Sequence, residues 1–222
     1  MLGKKKIEQL LSSEDIIDVE TAFKKCKIEI YDEDIAVFLK TFPFLCIKYG
    51  VEINQTEINI DFQEIDRIPE NIKLFTNLKK LEARYNNFKT IPSEIFSLIN
   101  LTEINLQKNS IDSIPGEVNN LTKLESLILA KNDIKTVSNN LSNLPNLKIL
   151  NLSHNKIKSG DFLIDGFDNL QQLVLNKNQL TSLPIEVQRL KSLTLLELEG
   201  NPIQGVEKKK IESLLPNTEV IF

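Results

Sequence analysis

The hydrophobic residues of this chain recur with one spacing over most of its length. Aliphatic and phenylalanine side chains occupy fixed positions of a 23-residue frame, and one asparagine marks each copy. These asparagines are Asn86, Asn109, Asn132, Asn155, Asn178 and Asn201. One step earlier Gln63 replaces the asparagine, which gives seven repeats from about Gln55 to Leu215. Self-similarity at a fixed period of this length is typical of repeat architectures.

Each repeat predicts one short strand. Its fourth and sixth positions, such as Leu150 and Leu152, have the two-residue spacing of side chains that share one face of a strand, so both point inward. The asparagine follows the strand, where the chain must bend, and its amide can satisfy backbone groups in the bend. The rest of the repeat, with a proline at Pro92, Pro115 or Pro184, favours an extended or single-turn segment.

The frame resembles the leucine-rich repeat signature LxxLxLxxNxLxxLPxxIxxLxx over most of the 222 residues. Its length and its Leu-Pro pair are similar to the "typical" class of Ras-group and bacterial intracellular-type proteins. The resemblance implies an α/β right-handed solenoid, a horseshoe whose concave parallel β-sheet binds a macromolecular partner. In two copies Val137-Ser138 and Gly160-Asp161 replace Leu-Pro, so we expect an irregular convex side there.

Both ends of such a solenoid need a cap, because the terminal repeats expose apolar surface. Residues 1–54 do not follow the frame, and their apolar spacing predicts two or three helices. We interpret them as a helical N-terminal cap; a small binding module is the alternative. Seven repeats occupy 55–206, and the last of them merges into a C-terminal cap over 207–222. This cap contains a short helix over Glu207–Leu215 and a strand over Thr218–Phe222.

Charge and composition exclude several classes of protein. The 27 basic and 31 acidic residues give a net charge of -4, which argues against nucleic-acid binding. Cys26 and Cys46 are too few for a disulfide framework and lack the spacing of a zinc site. Neither a signal peptide nor an apolar stretch long enough to span a membrane is visible. We therefore expect a cytoplasmic monomer without cofactor or metal, and leave export by an unrecognised route open.

Catalysis has little support in the sequence. The single histidine, His154, lies beside Ser153, and a nucleophile needs a base that a third group holds in place. Asp133 could approach His154, but no spacing requires it. No glycine-rich phosphate loop or metal-ligand cluster is present. We predict that the protein is not an enzyme.

Candidate binding residues occupy the outward positions of the predicted strands. Four of these positions are apolar in the middle and later repeats, which suggests a docking patch or, alternatively, only a preference for strand structure. The four residues are Ile128, Ile149, Val174 and Leu195.

A second group of candidates lies just after the strands. Arg84 and Tyr85, beside Phe62, have the chemistry of interface hot spots; the two aromatic rings could instead pack against the N-terminal cap. Basic residues recur at the same frame position as Tyr85 and could attract an acidic partner, or form only a solvated edge. They are Lys108, Lys131, His154 and Lys177.

The sequence thus predicts a non-catalytic module or scaffold that binds a protein partner through a concave sheet. Two alternatives remain open. One is a bacterial repeat protein that engages host molecules, and the other is a regulatory subunit of a phosphatase or small-GTPase signalling complex. The step from fold to function rests on analogy, because solenoids bind many unrelated partners.

Overall fold

The computed structural model describes residues 56–137, 141, 144–161 and 167–222. These residues form one parallel sheet of eight strands in chain order, which confirms the predicted repeat solenoid. The predicted helical N-terminal cap, residues 1–54, lies outside the described residues. The strands are β1 (Glu57–Asn59), β2 (Lys80–Glu82), β3 (Glu103–Asn105), β4 (Ser126–Ile128), β5 (Ile149–Asn151), β6 (Gln172–Val174), β7 (Leu195–Glu197) and β8 (Glu219–Ile221).

The register of the sheet follows directly from the 23-residue frame. From β1 to β7, residues that occupy the same frame position stand opposite each other, as Leu81, Ile104 and Leu127 do. Each frame position therefore forms a straight column across the sheet. The fourth column faces the core, and Leu150 is fully buried there. The third and fifth columns face the other way, and we call that surface the concave face.

A single hydrophobic core runs through the described repeats. It extends from Ile58 to Leu215, and Leu150 and Leu152 are both fully buried within it. On the convex side of the described repeats, short 3-10 helices follow a proline, which fixes φ at the start of the turn. An apolar residue is the C-cap of each of these helices. The five-residue helices are Glu70–Leu74, Ser93–Ser97, Gly116–Asn120 and Ile185–Arg189.

The convex side changes where the Leu-Pro pair is absent. In the copy that carries Gly160, a 3-10 helix of three residues spans Ser159–Asp161, where the other copies have the extended segment that leads to the proline. Val137, in the copy before, is buried, and most of the segment that follows it lies outside the described residues. The positions that correspond to the five-residue helices of the other copies, 162–166, lie outside the described residues.

Asn132 shows the hydrogen bonds that tie one repeat to the next. Its Nδ2 donates to the carbonyl oxygens of Leu129, in its own repeat, and Leu106, in the preceding one, both at 3.0 Å. Its Oδ1 accepts from the backbone N–H of Ile111 at 3.0 Å. One amide therefore satisfies three backbone groups from two repeats. The same pattern recurs at Asn86, Asn109, Asn155, Asn178 and Asn201.

A second ladder of side-chain hydrogen bonds lies where the chain enters each strand. The Nδ2 of Asn100 donates to the carbonyl oxygen of Thr76 at 2.8 Å, and the hydroxyl of Thr102 donates to that of Lys79 at 3.1 Å. Both acceptors belong to the preceding repeat. The hydrogen bond from the asparagine side chain to the preceding repeat recurs at Asn146 and Asn169. The sequence analysis assigned these asparagines no role, although their recurrence at the frame spacing was a signal.

The residue before each repeat asparagine has a left-handed backbone. The φ angle is 57° at Lys131, 55° at His154 and 74° at Gly200. For a residue with a Cβ, the left-handed backbone conformation is less stable than the right-handed conformation by about 1–2 kcal/mol. The bend is therefore strained, and the hydrogen bonds of the asparagine offset this strain. The side chains at this position form the eighth column, beside the concave face. Its other members are Phe62, Tyr85, Lys108 and Lys177.

A helix and a strand close the C-terminal end, as the sequence predicts. Helix α1 spans Gly205–Leu214 and begins two residues before the predicted start. Its Ile211 is fully buried. In the following strand Val220 pairs with Leu196 of β7, so the cap continues the sheet by one strand. Among the described residues, no helix combines the length and apolar character needed to cross a membrane.

We expect Asn132→Ala to lower the free energy of unfolding by about 1–3 kcal/mol, because three buried backbone groups lose their partner. Urea denaturation measures this difference. Gln188→Ala removes an amide from an exposed position and should change stability by less than about 0.5 kcal/mol. Equal effects of the two substitutions would contradict the role assigned to the asparagine ladder.

The same glycine-to-alanine change should have opposite effects on stability at Gly200, in the last repeat, and at Gly205, in helix α1. Gly200→Ala should lower stability by about 1–2 kcal/mol, because its φ is 74° and the new Cβ would lie 2.9 Å from Cγ of Lys177. Gly205, in the first turn of α1, has open space around it, so Gly205→Ala should raise stability by about 0.4–1 kcal/mol. Thermal denaturation of both variants tests this contrast, and two losses of similar size would refute it.

Candidate functional site

The concave face divides into two halves of different chemistry. Across β2 and β3 the charged side chains of this face are paired with one another. Nζ of Lys80 lies 3.3 Å from Oε2 of Glu103 and 3.4 Å from Oε1 of Glu82. The hydrogen bond and the charge of Glu103, followed by the charge of Glu82, raise the pKa of Lys80 above its usual value. Lys80, Glu82 and Glu103 therefore already have partners within the protein.

The predicted contact residue Arg84 belongs to this paired half. Its Nε and Nη2 donate to Oδ2 of Asp61 at 2.9 and 2.7 Å, and its backbone N–H donates to Oδ1 at 2.6 Å. A partner that used Arg84 would have to compete with Asp61 for the guanidinium. The sequence analysis did not pair them, although both occupy the seventh frame position of consecutive repeats.

The aromatic candidates Phe62 and Tyr85 stack on each other, with ring centroids 4.2 Å apart and planes inclined by 20°. Nζ of Lys108 lies 4.4 Å from the centroid of the Tyr85 ring, within the range of a cation–π contact. Phe62 remains 63% exposed. Packing of these rings against the N-terminal cap concerns residues outside the described ranges.

The predicted apolar patch lies on four consecutive strands, β4 to β7, and its side chains are half-buried. The register refines the expected side-by-side arrangement. Ile149 stands opposite Ser126 and Gln172 in the third column, whereas Val174 stands opposite Asn151 in the fifth. The apolar residues therefore alternate between two columns, and each has polar neighbours within its own column.

The last strand adds a fifth apolar residue that the sequence analysis missed. Ile221 of β8 stands opposite Glu197 of β7 in the fifth column and is 39% exposed. It was missed because β8 pairs Glu219 with Leu195, outside the 23-residue frame. Neighbouring members of this row are about 8 Å apart along a diagonal. We call the row the apolar zigzag: Ile128, Ile149, Val174, Leu195 and Ile221.

The eighth column brings three basic candidates together beside the apolar zigzag. The backbone N–H of Lys131 donates to Ser153 at 2.8 Å and that of His154 to Asn176 at 2.7 Å, which places Lys131, His154 and Lys177 on successive repeats. Burial, then the charge of Lys177, then that of Lys131, lower the pKa of His154. The histidine is therefore uncharged at neutral pH.

Ser153 and Asp133 are the two residues that the sequence suggested as possible catalytic neighbours of His154. The hydroxyl of Ser153 donates to Oδ1 of Asn151 at 2.8 Å, and Asp133 forms an ion pair with Lys156 at 2.6 Å. The hydroxyl and the carboxylate that the sequence placed nearest to His154 thus bind other groups. Within the described ranges, no cluster of three or more histidine, cysteine or acidic residues could hold a metal ion.

Two family models match the repeats. The model described as "Leucine rich repeat" matches residues 76–134, and the model "Leucine Rich repeats (2 copies)" matches residues 122–164. No curated protein matches the chain at a significant level.

Solved structures of repeat proteins align with most of the chain. An LRR protein of Leptospira interrogans is 34% identical with a TM-score of 0.59, and the alignment covers 72% of this chain and 46% of that one. The plant peptide hormone receptor RGFR1 in complex with RGF2 is 25% identical with a TM-score of 0.58, covering 75% and 27%. An internalin of Listeria monocytogenes is 24% identical with a TM-score of 0.54, covering 80% and 56%. The chain thus spans 27% to 56% of these proteins' lengths.

We expect the imidazole of His154 to titrate below 6.5, its ordinary pKa. NMR can follow it without ambiguity, because the chain has one histidine. The Lys131→Ala/Lys177→Ala variant should raise the midpoint, since two of the three causes of the shift are removed. A midpoint at or above 6.5 in the wild type would contradict the arrangement of the eighth column.

The lowered pKa of His154 also sets the sign of a pH effect on stability. The unfolded chain, with the higher pKa, takes up the proton first, so the contribution of His154 to stability falls as the pH drops through about 6.5. The stability lost between pH 7.5 and 5.5 should therefore be larger for the wild type than for His154→Gln. Urea denaturation at both pH values measures the difference.

Proposed function

Because the chain is a leucine-rich repeat protein, we propose that it is a non-catalytic interaction module that binds another protein through the β4 to β8 half of its concave face. Leucine-rich repeats generally mediate protein–protein interaction, and stacked repeats present an extended surface for it. The observation that carries the proposal is the apolar zigzag, which crosses five strands on a face that is otherwise polar.

The two halves of the concave face differ in what a partner would have to displace. In β1 to β3 a partner would break internal ion pairs, such as that of Arg84 with Asp61, and recover little from exposed charges. In β4 to β8 it would cover aliphatic side chains, at about 25 cal/mol per Å² of apolar surface removed from water. We therefore place the energetic centre at Ile149 and Val174, in the middle of the zigzag.

The aromatic candidates are proposed to extend the site rather than to form its centre. Tyr85 and the exposed Phe62 stack near the first strands, and aromatic side chains with arginine are frequent at interface hot spots. Arg84 would contribute at the rim of the site, where a partner must compete with Asp61 for its guanidinium.

The solved complex of the plant receptor with RGF2 supports binding as a role for this fold. It does not identify a partner, because the chain spans 27% of that receptor. The cytoplasmic location and the monomeric state stay predictions from the sequence. The bonds made by Ser153 and Asp133 support a non-catalytic role.

We expect Ile149→Glu/Val174→Glu to abolish partner binding while the fold is retained, because both side chains are half-buried at the surface and two charges would be buried beneath a partner. Pull-downs from cell lysates, analysed by mass spectrometry, compare the variant with the wild type. Circular dichroism and a thermal scan verify that the variant is folded.

The matched control places the same two charges outside the sheet. Ile99→Glu/Ile185→Glu alters residues that are 59% and 48% exposed, and this variant should retain every partner of the wild type. Partners that both double variants retain would place the site elsewhere and refute the proposal. Loss of the same partner with both would show that the effect is not specific to the concave face.

A further inference from the structure

The geometry of the apolar zigzag favours one kind of bound segment. Its members alternate between the third and fifth columns on successive strands, with about 4.8 Å between strands. In an amphipathic helix the apolar residues at heptad positions a and d alternate in the same way between the two sides of the apolar stripe. The mean axial distance between successive a and d residues is about 5.2 Å. Over four steps a helix drifts by about 2 Å from the row, whereas an extended segment, at about 6.7 Å per same-face residue, drifts by about 8 Å.

The surface beside the zigzag leaves room for such a helix. Between the fifth and eighth columns of β4 and β5 the side chains are small: Ala130 and Ser153 are 4% and 8% exposed. A helix about 10 Å across, centred on the zigzag, therefore extends over this strip. One of its flanks then faces the eighth column.

The eighth column presents unpaired positive charge to that flank. Lys131 and Lys177 are exposed, and among the described carboxylates none lies within ion-pair distance of either. Elsewhere in the sheet region lysines do pair, as Lys148 does with Glu125 at 2.7 Å. Two lysines without a counter-charge complement an acidic flank.

The charge changes sign at the far end of the zigzag. Glu197 and Glu199 of the seventh repeat and Glu219 of β8 lie there, and Glu197 accepts a hydrogen bond from Asn176 at 2.6 Å. These carboxylates would repel a polyanion that followed the whole row, which argues against a nucleic acid. They favour the N-terminal end of a helix, whose backbone carries partial positive charge.

From these observations we propose that the partner docks an amphipathic α-helix across β4 to β8, with its apolar face on the zigzag and an acidic flank on Lys131 and Lys177. This inference rests on the proposed function and adds to it the shape and charge of the partner. It also gives the helix a direction, with its N-terminus toward β8.

The test selects peptides without assuming a partner. A phage-displayed library of random 16-residue peptides is panned against the immobilised full chain, and the enriched sequences are synthesised with a fluorescein label. We expect enrichment of acidic residues and apolar residues spaced three and four apart. Circular dichroism should show a gain of helix when peptide and protein are mixed, and the ring resonance of His154 should shift.

Binding constants from fluorescence anisotropy then locate the contacts. Lys131→Glu/Lys177→Glu should weaken the enriched peptides by about tenfold or more, through repulsion at two close charges. A peptide with lysine in place of its glutamates should instead prefer this variant. The matched control Lys135→Glu/Lys191→Glu, at exposed positions outside the sheet, makes the same change in net charge and should bind within about twofold of the wild type.

Each of the other possible results would refute one part of the proposal. Peptides that lose binding with Ile149→Glu/Val174→Glu but not with the lysine variant would leave the proposed function intact and refute the acidic flank. Peptides that bind without gaining helix would refute the helix. Peptides insensitive to both variants, or no enrichment above the empty support, would refute the concave site for segments of this kind. Lysine-dependent binding of a labelled single-stranded oligonucleotide, without peptide binding, would indicate a nucleic acid instead.

Discussion

The sharp bend after each strand buries backbone N–H and C=O groups that no regular ladder can pair, and the structure depends on satisfying them. The repeat asparagine does so with one amide, which reaches carbonyl oxygens of its own and the preceding repeat and an N–H of the preceding repeat, as Asn132 does. Aspartate could not donate and leucine could neither donate nor accept. The frame therefore tolerates variation at outward positions, but not at this one without cost.

The residues that stabilise the fold are therefore different from those that form the recognition surface. The asparagine ladder and the inward columns hold the repeats together, while the third, fifth and eighth columns take no part in that bonding. Their side chains can be paired charges in β1 to β3, such as Lys80 with Glu103, or aliphatic in β4 to β8, without changing the register. The contrast between the two halves is thus a property of the surface alone, which is why it points to function.

The period of the sequence was sufficient to predict the sheet, its register and the buried columns, because each of these follows from residues one frame apart. It was also sufficient to place Ile149 and Val174 on the concave face. Ile221 could not be placed, since β8 pairs with β7 outside the 23-residue frame. The pairing of Arg84 with Asp61 and the burial of His154 depend on side-chain conformation, which a column assignment does not provide. The bonds of Asn100 lay within the pattern and were overlooked.

Every ladder amide reaches only as far as the preceding repeat, so in the part of the chain that the structure describes no bond of this kind spans more than two repeats. The ladder therefore joins each repeat to its immediate neighbours. Tension applied to the C-terminus would load the last asparagine bonds first, and the repeats would detach one at a time rather than all at once. Each step would release one frame of 23 residues, so mechanical resistance is set by a single junction and does not grow with the number of repeats.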